Sequence, residues 1–276
     1  MSPDLHWGVD VGSTLTKVAI RESNRPPRFQ LVSRGPLSEV ARLVETAMPV
    51  TLGLTGGGAA ALASLLHLPS VQVNEFTAWG TGARQLLAGE PLPERYLLVS
   101  LGTGTSIMQV EGQSVVRKGG TALGGGTILG LGAAMLGTPD FAHICSLAEA
   151  GSRDSVDLLV RDIYPDPDRP LKGDLTAASF GRLGREFGTE TRPEDMACSV
   201  MRLVGENVAL IAGGHAKNTG LRHIVYGGST LRRNPALVLV LEEVTGLLGL
   251  EARILEDGEF AGALGAMEWA PRTDKF

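Results

Sequence analysis

The chain opens on the stretch that decides its fold, Gly8-Val9-Asp10-Val11-Gly12-Ser13-Thr14-Leu15-Thr16-Lys17. The apolar residues on either side of Gly12-Ser13-Thr14 predict two short strands joined by a tight hairpin turn. Such a turn offers backbone N–H groups and hydroxyls to an anion. Asp10 would then hold Mg²⁺ through water, and Lys17 would add positive charge beside bound phosphates. An ordinary hairpin with a surface lysine is the alternative.

The same pattern returns in the second part of the chain. Leu101-Gly102-Thr103-Gly104-Thr105-Ser106 is another Gly/Thr turn between two predicted strands. Two phosphate-binding hairpins that face each other across a cleft would clamp one triphosphate. Between them, Gly89-Glu90-Pro91-Leu92-Pro93-Glu94 has the composition of a linker. The pattern therefore predicts two related α/β domains, an N-terminal one over residues 1–92 and a C-terminal one over residues 93–276.

Strands alternate with helices along much of the remaining sequence. Residues 37–47 carry apolar residues at helical spacing, and residues 193–217 predict a long helix with a proline in its first turn. Residues 165–170 contain three prolines and predict a loop. This alternation is typical of an α/β architecture in which helices cover both faces of each sheet.

Two further glycine-rich segments are candidates for nucleotide contact. Ile224-Val225-Tyr226-Gly227-Gly228-Ser229 predicts a buried strand that ends in two glycines, where the backbone can approach an adenosine closely. Gly124-Gly125-Gly126-Thr127 precedes a predicted helix, whose free N–H groups would attract phosphate. A plain strand-to-helix turn and close helix packing are the respective alternatives. Gly56-Gly57-Gly58 lacks the GxGxxG spacing of a dinucleotide site, and the chain has no P-loop motif.

Two charged residues are candidates for the chemistry itself. Glu75 follows a predicted strand and begins a helix, where a carboxylate facing a cleft could take the proton of an acceptor hydroxyl. Arg117 follows the third strand of the second part, where it could neutralise a phosphoryl group or bind an acidic substrate. The alternatives are a charge that stabilises a helix N-terminus and an ordinary surface arginine.

The composition restricts the class of protein. Among 276 residues, 43% are hydrophobic, enough for a packed core, and 37 are glycine, which indicates tight turns or close backbone contacts. The net charge is −5 without a basic tract, and no run of 18 apolar residues occurs, so nucleic acid and membranes are not expected partners. The N-terminus lacks the pattern of a secretory signal. Cys145 and Cys198 lie far apart, as in a reduced cytoplasmic protein.

The glycine turns form part of a longer series of motifs. In chain order these are Asp10-Val11-Gly12-Ser13-Thr14-Leu15-Thr16-Lys17, Leu54-Thr55-Gly56-Gly57, Asn74-Glu75-Phe76, Gly102-Thr103-Gly104-Thr105-Ser106, Arg117-Lys118-Gly119-Gly120, Gly124-Gly125-Gly126, Gly173-Asp174-Leu175-Thr176-Ala177-Ala178 and Ile224-Val225-Tyr226-Gly227-Gly228-Ser229. The series resembles that of the type II pantothenate kinases, the bacterial relatives of the eukaryotic pantothenate kinases. The resemblance extends over about residues 6–269.

This resemblance implies a fold and an activity. The family uses ATP and Mg²⁺ to phosphorylate pantothenate to 4′-phosphopantothenate, the first step of coenzyme A biosynthesis. Its members have an α/β, actin/hexokinase-like (ribonuclease H-like) fold of two domains, with the nucleotide cleft between the halves. They are homodimers, and we expect the dimer contacts of this chain to include parts of residues 154–180.

The resemblance also assigns roles to individual residues. Glu75 matches the catalytic base, and Arg117 matches the arginine that contacts the substrate and the developing charge. Phe141 stands where some relatives carry a nucleotide-contacting tyrosine, so its ring could stack but not hydrogen-bond. The positions that match nucleotide-binding residues are Gly12, Ser13, Thr14, Leu15, Thr16, Lys17, Val18, Ala19, Thr103, Gly125, Gly126, Thr127, Ile128, Leu129, Phe141 and Ser229.

Two other functions compete with this one. The first is a kinase of the same superfamily that phosphorylates another hydroxyl compound, such as an amino sugar. The second is a nucleotide-driven regulatory protein, like the ATPase activators of dehydratases. Those activators need cysteines for an iron–sulfur cluster at a dimer interface, and neither Cys145 nor Cys198 lies in such a setting.

Overall fold

Two five-stranded sheets form the frame of the protein. This computed structural model describes residues 4–23, 25–32, 35–91, 93–164, 166 and 171–270. The strands are β1 (Leu5–Val11), β2 (Thr16–Glu22), β3 (Arg28–Val32), β4 (Thr51–Thr55), β5 (Val71–Gln72), β6 (Arg95–Leu101), β7 (Thr105–Glu111), β8 (Ser114–Thr121), β9 (Leu158–Leu159), β10 (Thr176–Ala178), β11 (His223–Gly227) and β12 (Glu251–Ile254).

The two sheets share one topology. The first has the strand order β3-β2-β1-β4-β5, and the second has the order β8-β7-β6-β11-β12. In each sheet an antiparallel hairpin extends to one side of the central strand, and parallel strands extend to the other. The repeated strand–turn–strand pattern of the sequence therefore corresponds to a repeated sheet.

Helices cover the outer face of each sheet. The helices are α1 (Leu37–Ala47), α2 (Ala59–Ala63), α3 (Glu75–Leu86), α4 (Gly125–Leu131), α5 (Phe141–Ala150), α6 (Val160–Ile163), α7 (Gly181–Arg185), α8 (Pro193–Thr219), α9 (Pro235–Leu247) and α10 (Ala261–Trp269). On the first sheet, α1 and α2 bury one set of alternate strand residues, such as Val9 and Leu54. On the second, α4, α5, α8 and α9 bury the equivalent set, such as Leu97 and Val99.

The long helix α8 belongs to the core of the second half. By length and composition it is apolar enough to cross a membrane, but 56% of its most apolar stretch is buried inside the protein. Its buried residues pack against the strands and against α5 and α9. This packing accounts for the apolar character of the helix without a membrane.

The inner faces of the two sheets are separated by the helix pair α3 and α10. A Cβ at Gly8 of β1 would lie 1.9 Å from the Ala263 carbonyl oxygen of α10, and a Cβ at Gly265 would lie 1.7 Å from the Ala78 carbonyl oxygen of α3. Glycine is therefore required wherever these backbones touch. The high glycine content thus reflects close packing between elements as well as turns.

Helix α10 crosses between the predicted domains. It follows the second sheet in the chain and was expected in the domain of residues 93–276, but it packs on β1, β2 and β4 of the first sheet. The division near residue 92 remains a prediction, and Leu92 itself lies outside the described residues.

Some elements between α5 and α8 escaped prediction. The strands β9 and β10 pair as a small antiparallel ribbon of two and three residues, flanked by the short helices α6 and α7. Elements this short carry too few residues for a periodic signal. The loop predicted over residues 165–170 lies outside the described residues except for Asp166.

Candidate active site

The two Gly/Thr turns meet across a cleft between the sheets. The Thr103 hydroxyl lies 2.7 Å from the Ser13 hydroxyl and 3.1 Å from the Thr14 hydroxyl, both within hydrogen-bonding distance. Each turn joins the first two strands of its own sheet, so the shared topology places them opposite each other. The sequence-based expectation that the turns face each other therefore agrees with the structure.

A cavity of about 400 Å³, here called the polar chamber, lies beside these turns. It contains the charged side chains of Asp10, Lys17 and Glu75, together with residues of all three predicted glycine turns. Its lining is Asp10, Gly12, Ser13, Thr14, Leu15, Lys17, Gly56, Gly57, Glu75, Trp79, Ser100, Gly102, Thr103, Gly104, Thr105, Ser106, Thr121, Gly228 and Ser229.

Asp10 and Lys17 form a buried cross-strand pair at the base of this chamber. They are register partners on β1 and β2, and the Lys17 Nζ lies 3.5 Å from the Asp10 Oδ2. Burial raises the pKa of Asp10, and the Lys17 charge opposes that rise. A second cation close to the Asp10 carboxylate would stabilise its charged form further.

Gly56 provides the room that this carboxylate needs. Its φ is +85°, and a Cβ there would lie 2.5 Å from the Asp10 Oδ1. Glycine is favoured on both grounds. The segment Gly56-Gly57-Gly58 lacks dinucleotide spacing, yet Gly56 and Gly57 line the polar chamber. Gly56 accommodates the Asp10 carboxylate rather than forming part of a dinucleotide turn.

Glu75 reaches the polar chamber from the first residue of α3. Asn74 caps this helix, since its side-chain oxygen accepts hydrogen bonds from the Phe76 N–H at 3.0 Å and the Thr77 N–H at 3.3 Å. The Glu75 side chain remains accessible to solvent in the open cleft. Even so, the surrounding protein raises its pKa by desolvation and the Asp10 charge raises it further, while Lys17 lowers it. An accessible carboxylate with a raised pKa is suited to accept a proton.

Arg117 does not line the polar chamber. It is exposed on β8, and its guanidinium carbon lies 6.0 Å from the centre of the Phe76 ring. Phe76 follows Glu75 directly, so the predicted arginine and the predicted base flank the same helix start. The structure thus brings both candidates to one region of the cleft.

A second cavity of about 220 Å³, here called the apolar chamber, continues from the first. Its walls include the side chains of Leu15, Leu129 and Phe141, and it shares Thr103 and Ser229 with the polar chamber. Phe141 begins α5, and the side chain of Asp140 caps that helix. An apolar space that opens onto a phosphate-binding chamber has the form of a nucleoside pocket.

The third glycine turn, Gly227-Gly228-Ser229 at the end of β11, forms another wall of this pocket. Gly228 has a φ of +118°, and a Cβ there would lie 2.2 Å from the Leu101 carbonyl oxygen. The next residues, Ser229 and Thr230, line the apolar chamber. The Thr230 hydroxyl donates to the Gly102 carbonyl at 2.8 Å. The glycine therefore lets the third turn pack directly on the second.

The start of α4 corrects one expectation. The N–H groups of Gly125 and Gly126 donate to the carbonyls of Gly102 at 2.8 Å and Thr103 at 2.9 Å. The sequence predicts that these N–H groups are free to bind phosphate. That prediction is wrong, because both N–H groups already donate to carbonyls. The glycines instead join this helix to the second turn, and both line the apolar chamber.

Five predicted nucleotide-binding positions do not line either chamber. Val18, Ala19 and Ile128 are fully buried in hydrophobic clusters. Thr16 is buried in β2 and lines only a neighbouring cavity. The Thr127 hydroxyl donates to the Ala122 carbonyl and accepts from the Gly124 N–H. These residues pack or hydrogen-bond within the protein next to the turns.

The sequence analysis missed several residues that line the chambers. Trp79 lies one turn after Glu75 on α3, and i, i+4 spacing could have placed it beside that carboxylate. Gly104, Thr105, Ser106 and Gly228 belong to the predicted glycine turns and line the polar chamber as well. The lining residues that lie outside every predicted motif are Trp79, Ser100, Thr121 and Thr230.

Comparison with known proteins identifies the family. Residues 83–268 match the protein family described as Fumble. The chain is 35% identical over 262 residues to the type II pantothenate kinase of Staphylococcus haemolyticus, which covers 94% of this chain and 98% of that protein. The chain belongs to the type II pantothenate kinase family. The enzyme of the same name from Staphylococcus aureus strain COL is also 35% identical, over 94% of this chain and 97% of its own length.

Solved structures place this type II pantothenate kinase family member in a wider fold. Component A of (R)-2-hydroxyglutaryl-CoA dehydratase from Acidaminococcus fermentans has a TM-score of 0.66 at 20% identity, over 98% of both chains. A ROK family glucokinase from Streptomyces griseus, solved with glucose and AMPPNP, has a TM-score of 0.64 at 14% identity, over 97% of this chain and 99% of that one. The predicted actin/hexokinase-like fold is confirmed.

Proposed function

We propose that this protein phosphorylates pantothenate to 4′-phosphopantothenate at the expense of ATP. The observation that carries the proposal is Glu75, an accessible carboxylate of raised pKa in the chamber where the glycine turns converge. Membership of the type II pantothenate kinase family supplies the acceptor. As in its relatives, the product would be the precursor of coenzyme A.

The two chambers divide the nucleotide between them. We assign adenosine to the apolar chamber, where Leu129 and Phe141 offer apolar contact. The phosphates then extend between the turns at Gly12–Leu15 and at Thr103 into the polar chamber, towards Lys17. Ser13 and Thr14 contact Thr103 directly, so the turns must separate or exchange these hydrogen bonds to admit the triphosphate.

Glu75 and Arg117 act on the acceptor. The deprotonated Glu75 carboxylate accepts the proton of the pantothenate hydroxyl as that oxygen bonds to the terminal phosphorus of ATP. The bond from this phosphorus to the bridging oxygen breaks, and ADP leaves with its electron pair. Its raised pKa brings its proton affinity closer to that of the group it must deprotonate. Arg117, whose guanidinium faces the ring of Phe76, the residue after Glu75, stabilises the negative charge that develops on the transferred group.

The donor set of the polar chamber fits Mg²⁺. Mg²⁺ is usually held by one or two carboxylates, several waters and substrate phosphates. Asp10 provides a buried carboxylate with a raised pKa and only a 3.5 Å contact to Lys17, and Glu75 lies within range of its charge. Among the described residues, no group of three or more His, Cys, Asp or Glu could hold a metal alone. We therefore assign Mg²⁺ to Asp10 through water. When bound, the ion neutralises phosphate charge.

The test is a coupled assay of ADP release with pantothenate as acceptor, repeated on Glu75→Gln. Pantothenate-dependent turnover in the native enzyme and a loss in the variant on the order of 10²–10⁴ are expected. Glu39→Gln is the matched control, because Glu39 also lies in the first turn of a helix but lines neither chamber. Turnover that does not depend on pantothenate would refute the assignment.

A panel of acceptors distinguishes the competing kinase function. It should contain glucose and an amino sugar beside pantothenate. Phosphorylation of a sugar with a higher kcat/KM than that of pantothenate would favour the alternative. ATP hydrolysis without any acceptor would favour a regulatory ATPase instead.

We further propose that the enzyme is a cytoplasmic homodimer that does not act on nucleic acid or membranes. Residues 154–180, where we expect dimer contacts, include the exposed apolar side chains of Ile163 and Leu171. Cys145 and Cys198 are free thiols, and burial raises the pKa of Cys145 to about 11, so its thiol stays protonated. Light scattering coupled to size-exclusion chromatography measures the mass directly, and a monomer of 29.0 kDa would contradict the dimer.

A further inference from the structure

Three consecutive residues at the start of α3 have distinct environments. Asn74 is the N-cap, Glu75 reaches the polar chamber, and Phe76 lies half-buried against the hydrophobic cluster between the sheets. The Asn74 side chain accepts a hydrogen bond from the Phe76 N–H itself at 3.0 Å. One capping interaction therefore fixes the backbone that carries both the carboxylate and the aromatic ring.

The Phe76 ring faces Arg117 from the other half of the molecule. The guanidinium carbon lies 6.0 Å from the ring centre, within the range of about 6 Å in which a cation over an aromatic face is attracted to it. Among the described residues, Arg117 forms no ion pair. Its only side-chain interaction in that part of the chain is therefore the contact with Phe76, the residue next to the proposed base.

The backbone of β8 is also arranged around Arg117. Met108 of β7 pairs with Arg117, while Ile107 pairs with Gly119, so Lys118 forms a bulge. A bulge bends a strand and redirects the neighbouring side chains. A Cβ at Gly120 would lie 2.9 Å from the Arg117 Nη2 and 2.4 Å from the Thr105 carbonyl oxygen. The absence of a side chain at Gly120 thus leaves room for the guanidinium.

We propose that Phe76 is a positioning residue, which holds the Arg117 guanidinium beside Glu75. The proposal rests on the proposed kinase function. The ring connects a side chain of the second half to the helix start that carries the base. Base and cation then keep a fixed separation at the acceptor when the cleft opens and closes, so both reach the reacting group together.

The experiment is a double-mutant cycle between Phe76→Leu and Arg117→Met, with kcat and both KM values measured using ATP and pantothenate. Phe76→Leu removes the aromatic face but keeps an apolar side chain. We expect it to lower kcat about tenfold while the KM for ATP stays unchanged, because the nucleotide chambers do not include Phe76. In the Arg117→Met background, Phe76→Leu should have no further effect. Phe76→Tyr keeps an aromatic face and should retain the native kcat.

Two controls separate positioning from stability. Leu86→Ala removes packing from the same helix and the same hydrophobic cluster without touching Arg117, so it should lower the unfolding temperature and leave kcat near the native value. Equal losses of kcat from Phe76→Leu with and without Arg117 would overturn the proposal, as would loss of activity in Phe76→Tyr with unchanged stability. A native enzyme without pantothenate-dependent turnover would instead refute the proposed function.

Discussion

The polar and apolar chambers share residues but differ in what they offer a ligand. The polar chamber contains three titratable side chains, Asp10, Lys17 and Glu75, all from the first half of the chain. The apolar chamber contains none, and most of its lining comes from the second half. We therefore expect the first half to supply the charges inside the polar chamber, with Arg117 of the second half acting from outside it, and the second half to supply the shape for the nucleoside. Substitutions in the two chambers should consequently affect different kinetic constants.

The largest expected effect lies in the polar chamber. Glu75→Gln keeps the size of the side chain but removes its basicity, so we expect kcat to fall on the order of 10²–10⁴. The KM for ATP should change little, because the base acts on the acceptor. Steady-state kinetics with varied ATP measure both constants. A rise in the KM for ATP with native kcat would mean that Glu75 binds the nucleotide instead.

The second effect belongs to the apolar chamber. Phe141→Ala removes an aromatic wall, and burial of such a side chain contributes about 1.5–3 kcal/mol, or a factor of roughly 10–100 in affinity. We expect the KM for ATP to rise by this factor with kcat nearly unchanged. Phe141→Tyr is the matched control and should stay close to native. If Phe141→Ala lowers kcat alone, the chamber does not hold the nucleoside.

A smaller effect concerns which nucleobase the apolar chamber accepts, adenine or guanine. The N–H groups of Gly125 and Gly126 and the hydroxyl of Thr230 already donate to carbonyls of the second turn. Apolar walls discriminate weakly, whereas sites that hydrogen-bond their substrate reject others by about 10⁴–10⁵. We therefore expect the kcat/KM for GTP to be about tenfold below that for ATP. A preference for ATP over GTP above about 10³-fold would show that polar groups form hydrogen bonds with the edge of the nucleobase.

The last prediction concerns pH. As a base, Glu75 must be deprotonated, and desolvation by the surrounding protein together with the Asp10 charge raises its pKa. The acid limb of kcat/KM should therefore lie above the usual pKa of a glutamate. Lys17 lowers the pKa of Glu75, so Lys17→Met should move this limb to higher pH, in addition to weakening phosphate binding. Lys217→Met, at an exposed position of α8, should leave it in place. A shift to lower pH would contradict the electrostatic coupling.

Local sequence patterns predicted the parts of the site that depend on neighbouring residues. The turns at Gly12 and Gly102, the strands beside them and the helix that begins at Glu75 all follow from hydrophobic alternation and glycine position. The hydrogen bond that the Gly125 N–H donates to the Gly102 carbonyl could not be predicted from the sequence. It joins two segments that only the tertiary structure brings together.

The difference between local pattern and tertiary contact also explains why some predicted nucleotide-binding positions line neither chamber. The resemblance marked Val18, Ala19 and Ile128 as part of nucleotide-binding segments, but a motif does not say which of its residues face the ligand. Alternation along β2 sends Val18 and Ala19 to opposite faces of the first sheet, and both faces are covered. Residues of this kind hold a binding turn in place without touching what it binds.

Helix α10 has a consequence for how the protein is made. Its residues are synthesised after those of both sheets, yet they cover the inner face of the first sheet. Because chains leave the ribosome from the N-terminus, the strands around Gly8 and Gly53 must wait for the second half of the protein before their second face is buried. We therefore expect the first sheet to complete its folding only after α10 has left the ribosome, and a nascent chain that stalls before residue 261 to expose an apolar surface that chaperones can bind.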